Sequence, residues 1–129
     1  YVPSAEVFAR AREIAVETGG SAEAVTDPVE AVTGADVVVT DTWISMGKES
    51  EQAARTAVFA PYALTTELMA AARTDAIALH CLPAYRGMEI APEVLDGPQS
   101  VVWDEAENRR HAQKAVLTFL LDASREGAS

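Results

Sequence analysis

A single cysteine, Cys81, stands in 129 residues, so no disulfide can close within the chain and nothing points to a disulfide-stapled secreted scaffold. Basic residues are scarce as well: 10 Lys and Arg face 20 Asp and Glu, for a formal charge of −10. Without a Lys/Arg cluster there is nothing to neutralise a nucleic-acid backbone, and the acidity reads as a solvated face. No apolar run approaches the roughly 20 residues that cross a bilayer. The start lacks the charged-then-apolar order of a signal peptide, so the cytoplasm is the expected compartment. Neither a G-x-G-x-x-G turn nor a P-loop occurs, and there is no internal repeat or low-complexity stretch. What remains, 49% hydrophobic and 23% charged residues, suits one folded domain rather than a disordered chain. The chain opens on Tyr1-Val2-Pro3 with no initiator Met and is expected to be a piece of something longer.

Turn and cap residues divide the chain. Ser4 caps a helix with apolar positions Phe8, Ala11, Ile14 and Ala15, closed by Gly19-Gly20. Residues 22–26 are a short strand candidate. Asp27-Pro28 opens a helix that runs to about Thr33 and stops at Gly34. Val37-Val38-Val39-Thr40 is β-branched and apolar on both faces, which predicts a buried parallel strand. After the polar stretch Asp41–Gly47, a surface helix is expected from Lys48 to about Ala57, then a loop over 59–64 around Pro61. Thr65 caps a helix over Glu67–Arg73, and Ile77–Leu79 forms the next strand. Pro92–Leu95 reads as one helical turn, Ser100–Trp103 as a third strand, and 106–123 as a long helix with Ala112, Ala115, Val116, Phe119, Leu120 and Ala123 on one stripe. The last residues, 124–129, should fray.

Alternating strands and helices predict an α/β fold, a Rossmann-like three-layer αβα domain with a mostly parallel sheet. A helix opens the chain, so the first strand of an ordinary βα unit is missing. In a parallel sheet the strand ends share one edge, where ligands bind. That edge gathers Asp41 with Ser45, then His80-Cys81, then Asp104-Glu105 leading to Asn108 and Arg109 in the first turn of the last helix. Cys81 is either a small buried hydrophobe or a reactive sulfur. Asp41 either caps a turn or orients a substrate amine. Ser45-Met46-Gly47 is a plain loop or one that closes over a ligand about Gly47. Arg109 either pairs with Glu105 or Glu107 or grips a phosphate or carboxylate. A metal site is not expected: adjacent strand residues point to opposite faces, which places His80 and Cys81 poorly to share an ion, and no Cys-x-x-Cys or His-x-x-x-His pair occurs.

Three stretches, Asp41-Thr-Trp-Ile-Ser-Met-Gly47, His80-Cys-Leu-Pro-Ala-Tyr-Arg-Gly87 and Asp104-Glu-Ala-Glu-Asn-Arg109, resemble the C-terminal signatures of the ornithine carbamoyltransferases, in the family's order and over nearly the whole chain. The His-Cys-Leu-Pro and Ser-Met-Gly elements favour ornithine over the aspartate-using relatives. The resemblance implies an ornithine-binding (C-terminal) domain over 1–129, N-terminally truncated, in an enzyme that carries the carbamoyl group of carbamoyl phosphate to the δ-amine of L-ornithine. It implies that Asp41 binds the ornithine amines, that Ser45 and Met46 close on the amino acid, and that Cys81 accepts a proton beside the reacting amine. It also implies that Cys81, Leu82 and Arg109 contact carbamoyl phosphate and that the whole enzyme is a homotrimer or a multiple of one; no cofactor is expected.

An alkylammonium, with a pKa near ~10.4, must lose a proton before it attacks. A cysteine near Arg109 is expected to have a depressed pKa that favours the thiolate. The family's carbamoyl-phosphate domain with its Ser-Thr-Arg-Thr motif is absent, as is the opening of the ornithine domain whose Asn contacts ornithine. The chain is therefore expected to hold about half a site and to make no citrulline alone. The alternatives are a non-catalytic α/β ligand-binding module, or a carbamoyltransferase for putrescine or a modified ornithine.

Overall fold

The structure, a computed structural model, describes residues 1–44, 47 and 49–126. The capping residues act as their chemistry predicts. The Val7 N–H donates to Ser4 Oγ at the head of α1 (Ala5–Thr18), and Gly19, at φ 73°, ends that helix in a left-handed turn. Asp27 Oδ1 accepts from the Val29 and Glu30 N–H groups at the start of α2 (Pro28–Val32). The strand β1 (Val37–Thr40) follows. A 3-10 turn at Glu49–Glu51 leads into α3 (Gln52–Phe59), and a second at Ala60–Tyr62 takes in Pro61. Thr65 Oγ1 accepts from Leu68 N–H to open α4 (Thr66–Ala71). Then come β2 (Ile77–His80), the single turn α5 (Pro92–Leu95) and the long α6 (Val102–Glu126).

β1 and β2 pair in parallel, from Val37 opposite Ile77 to Thr40 opposite His80. On the far side of β2 the ladder is cut short. Ala78 N–H donates to Gln99 O at 2.8 Å and Val101 N–H donates to Ala78 O at 3.1 Å, after which the chain turns into α6. The expected strand Ser100–Trp103 is therefore a single bridge, Ala78 to Ser100. Val102 is fully buried as the first residue of a helix instead, and Asp104 and Glu105 sit in its first turn, where the helix dipole favours acids. α6 begins four residues earlier than the apolar stripe suggests, and it includes residues 124–126; 127–129 lie outside the described residues. Residues 22–26 form no strand, since no neighbour among the described residues offers them a ladder.

The core joins Val38 and Ala78 of the sheet to Val32 of α2, Met69 of α4, Val94 and Leu95 of α5 and Val102 of α6, with Leu64 and Ile90 between them. β1 is not buried on both faces. Val38 is inside, but Val39 is 65% exposed. A β-branched run satisfies strand geometry whether or not its second face is covered, so it does not by itself report burial on two sides.

Candidate functional site

Because β1 and β2 run the same way, the residues after them emerge on one edge. Asp41 follows β1 and Cys81 follows β2. The Cys81 S–H donates to Asp41 Oδ1 at 3.1 Å across 40 residues of sequence. The same oxygen accepts Thr42 N–H at 2.7 Å, so the carboxylate is held by its own turn. Cys81, Leu82 and Pro83 then border a cleft of about 900 Å³ whose opposite wall is α6, with Glu105, Asn108 and Arg109. Cys81, the Glu105 carboxylate and the Arg109 guanidinium thus border one opening, and Asp41 adjoins it through its bond with the sulfur. Arg109 lies beyond the first turn of its helix, because α6 starts at Val102. Glu107 is taken by Arg110 at 3.0 Å, and Arg109 has no ion pair among the described residues. Ser45 and Met46 lie outside the described residues; Gly47 sits at φ 83°.

The turn after Cys81 is braced from inside. Leu82 has φ 56°, a left-handed conformation that a side chain with Cβ adopts only where its surroundings impose it. Its N–H donates to His80 Nδ1 at 2.9 Å. That bond needs a lone pair on Nδ1, so the hydrogen of this neutral imidazole is on Nε2. Nε2 faces Glu89 Oε1 at 3.1 Å, and both side chains are wholly buried. Tyr85 N–H donates to the same Glu89 oxygen, and Glu89 O accepts Leu64 N–H at 2.9 Å. Farther along, Arg86 grips Asp96 through two bonds of 3.0 and 2.9 Å, which holds the Asp96 carboxyl below the usual carboxylate range. Sequence reasoning missed Glu89. Its one signal was an acid set between Met88 and Ile90, where the flanking residues call for burial.

The electrostatics differ from expectation. The Cys81 thiol is raised, not depressed. Its hydrogen bond to Asp41 comes first, then burial, then the negative charges of Asp41 and Glu105. A carboxylate in contact with the sulfur outweighs a guanidinium that only shares the cleft. Strand alternation does not keep His80 and Cys81 apart as expected. Asp41, His80 and Cys81 place ligand atoms within 4.8 Å of one another, because Cys81 lies past the strand end and escapes the alternation of faces. Both ring nitrogens of His80 are already engaged, one by Leu82 and one by Glu89, and ligation would have to break one of those bonds.

A parallel α/β domain with a cleft at the carboxyl ends of its strands is of the class whose members hold small ligands at that edge. Residues 1–120 match the family described as aspartate/ornithine carbamoyltransferase, Asp/Orn binding domain, and the chain belongs to that family. An ornithine carbamoyltransferase of Clavibacter sepedonicus is 66% identical over 124 residues, 96% of this chain and 40% of that protein. Among solved structures, the ornithine carbamoyltransferase from Pyrococcus furiosus superposes with a TM-score of 0.85 at 50% identity, over 91% of this chain and 37% of that one. The anabolic enzyme from Campylobacter jejuni gives 0.89 at 39% identity, over 95% and 40%. The chain therefore spans about 40% of the length of such relatives. No described helix is long and apolar enough to cross a membrane.

Proposed function

We propose that this chain carries the ornithine side of an ornithine carbamoyltransferase site. In the whole enzyme the δ-ammonium of L-ornithine first gives one proton to a base, the freed nitrogen forms a bond to the carbamoyl carbon as the carbon–oxygen bond to phosphate breaks, and a second proton passes from that nitrogen to the departing phosphate, giving L-citrulline and hydrogen phosphate. The observation that carries the reading is the 3.1 Å contact of Cys81 Sγ with Asp41 Oδ1 beside a cleft that Arg109 also lines.

The roles follow from charge. Asp41 and Glu105 keep the cleft negative at the sulfur and so attract an alkylammonium. Once the cation lies there, its charge offsets theirs, the thiol gives up its proton more readily, and the thiolate takes one from the amine. Arg109 binds the phosphate and neutralises the charge that grows as it departs, with Cys81 and Leu82 near the carbamoyl group. Ser45 and Met46 close over the amino acid and expel water. The remaining contacts to carbamoyl phosphate come from the part of the whole enzyme that this chain does not span, in an assembly of three subunits or a multiple of three, in the cytoplasm.

The test is citrulline formation from L-ornithine and carbamoyl phosphate. The whole enzyme should turn over and the 129-residue chain alone should not. In the whole enzyme, Cys81→Ala should lower kcat by about 10²-fold or more, while Asp41→Asn should mainly raise the KM for ornithine. Unchanged kcat/KM in both variants, or turnover by this chain alone, would overturn the reading.

A further inference from the structure

Glu105 stands where a strand would have continued. On the far side of β2 the ladder runs from Ala78 N–H to Gln99 O and from Val101 N–H to Ala78 O. The next rung of a parallel pair would be His80 N–H to the Val101 carbonyl. That carbonyl is spent on the first turn of α6, where it accepts Glu105 N–H at 3.0 Å. The His80 N–H donates to the Glu105 side chain instead, at 3.0 Å to Oε2 across 25 residues. A carboxylate thus fills the rung that the helix start removes. Glu105 and Arg109 are four apart, one turn along the same helix face, and both border the cleft with Cys81.

We propose that Glu105 is a positioning residue: its carboxylate closes the last rung of the sheet and so fixes α6, with Arg109, against the strand end that presents Cys81. The proposal rests on the reading of Cys81 and Arg109 as parts of one site. Two properties of Glu105 can be separated, its acceptor oxygen and its charge. A glutamine keeps the first and loses the second; an alanine loses both. The charges that bear on Cys81 are Asp41 at the end of β1 and Glu105 on α6; Arg109 lines the same cleft, and His80 and Glu89, on the segment of Cys81 itself, are paired with each other.

Two readouts on this chain test the assignment: hydrogen exchange of the His80 amide, and the pH profile of Cys81 alkylation by iodoacetamide. Glu105→Ala should speed the exchange about tenfold or more and move the alkylation profile to lower pH. Glu105→Gln should restore slow exchange while leaving the profile at lower pH. Unchanged exchange in Glu105→Ala, or fast exchange in Glu105→Gln, would overturn the proposal. If Glu105→Ala does not fold, Glu105→Gln decides alone: slow exchange with a lowered profile supports the assignment, and fast exchange or an unmoved profile sinks it. Neither readout involves turnover, so an error in the functional reading would leave both results standing.

Discussion

His80 Nε2 lies 3.1 Å from Glu89 Oε1 with both side chains at 0% exposure, and this buried pair sets the shape of the turn that presents Cys81. Glu89 Oε1 takes two donors, His80 Nε2–H and Tyr85 N–H, whereas Oε2 is buried with no partner among the described residues. Glu89→Ala strands the buried His80 ring N–H and the half-buried Tyr85 N–H and should cost about 2–3 kcal/mol of stability, read as a lower urea midpoint. Glu89→Gln keeps an acceptor for both donors but buries an unpaired amide N–H₂ where Oε2 was, so its cost should be smaller, about 1–2 kcal/mol. A Glu89→Ala midpoint equal to that of the unaltered chain would show that the pair does not brace the turn.

The legible parts of the chain were those written in local chemistry. Ser4, Asp27 and Thr65 cap the helices they were expected to cap, and the pairing of β1 with β2 follows from two short apolar runs of like character. Asp41 and Cys81 meet because parallel strands end on one edge, which topology alone requires. The misread segment, Ser100–Trp103, is apolar enough for a strand, yet burial of Val102 is satisfied equally by the first turn of a helix. Periodicity over four residues cannot separate the two. The bond from His80 N–H to Glu105 was hidden because it is a tertiary pairing without a local signature, and for Glu89 the apolar neighbours Met88 and Ile90 hint at burial but not at its partners.

Asp41 governs the reactivity of the sulfur. Its hydrogen bond and charge hold the Cys81 thiol above the ordinary thiol value, with Glu105 adding to the effect. Asp41→Asn removes the nearer charge and should move the pH profile of thiol alkylation downward. Linkage gives a second readout with a definite sign. The folded chain keeps the thiol proton over a range in which the unfolded chain, with a value of about 8.5, has lost it. This contribution to stability is present below that value and is lost as pH rises through the raised folded value. Asp41→Asn should flatten that alkaline decline in the urea midpoint. A steeper decline in the variant would reverse the assignment of cause.

Gly97 is a test of the backbone turn that ends α5. A Cβ built there would lie 2.3 Å from the Glu93 carbonyl oxygen, and the Gly97 N–H donates to Val94 O at 3.2 Å. The obstacle is backbone, which cannot swing aside as a side chain can. Gly97→Ala should therefore destabilise by about 2 kcal/mol or more, measured as a shift in thermal midpoint. Gly19→Ala meets no atom within 4 Å and carries only the strain of φ 73°, so its cost should be about 1–2 kcal/mol. Equal loss in the two variants would mean that crowding at Gly97 relaxes freely.

Among the described residues, the contacts that hold α6 lie at its N-terminal end. Val102 is fully buried and Glu105 is tied to β2, but Val116, Leu117, Leu120 and Leu121 are exposed and Phe119 is 71% exposed. A helix of this length draws most of its stability from packing, and its unpacked half has only intrinsic propensity and ladder bonds. Amides in the C-terminal half should therefore exchange about tenfold or more faster than those near Asn108 and Arg109, opening locally without global unfolding. Exchange measured at two protein concentrations separates this from association through the apolar stripe, because fraying does not depend on concentration. Protection that is uniform along α6 at the lower concentration would show that the exposed half is stabilised by something other than the contacts described.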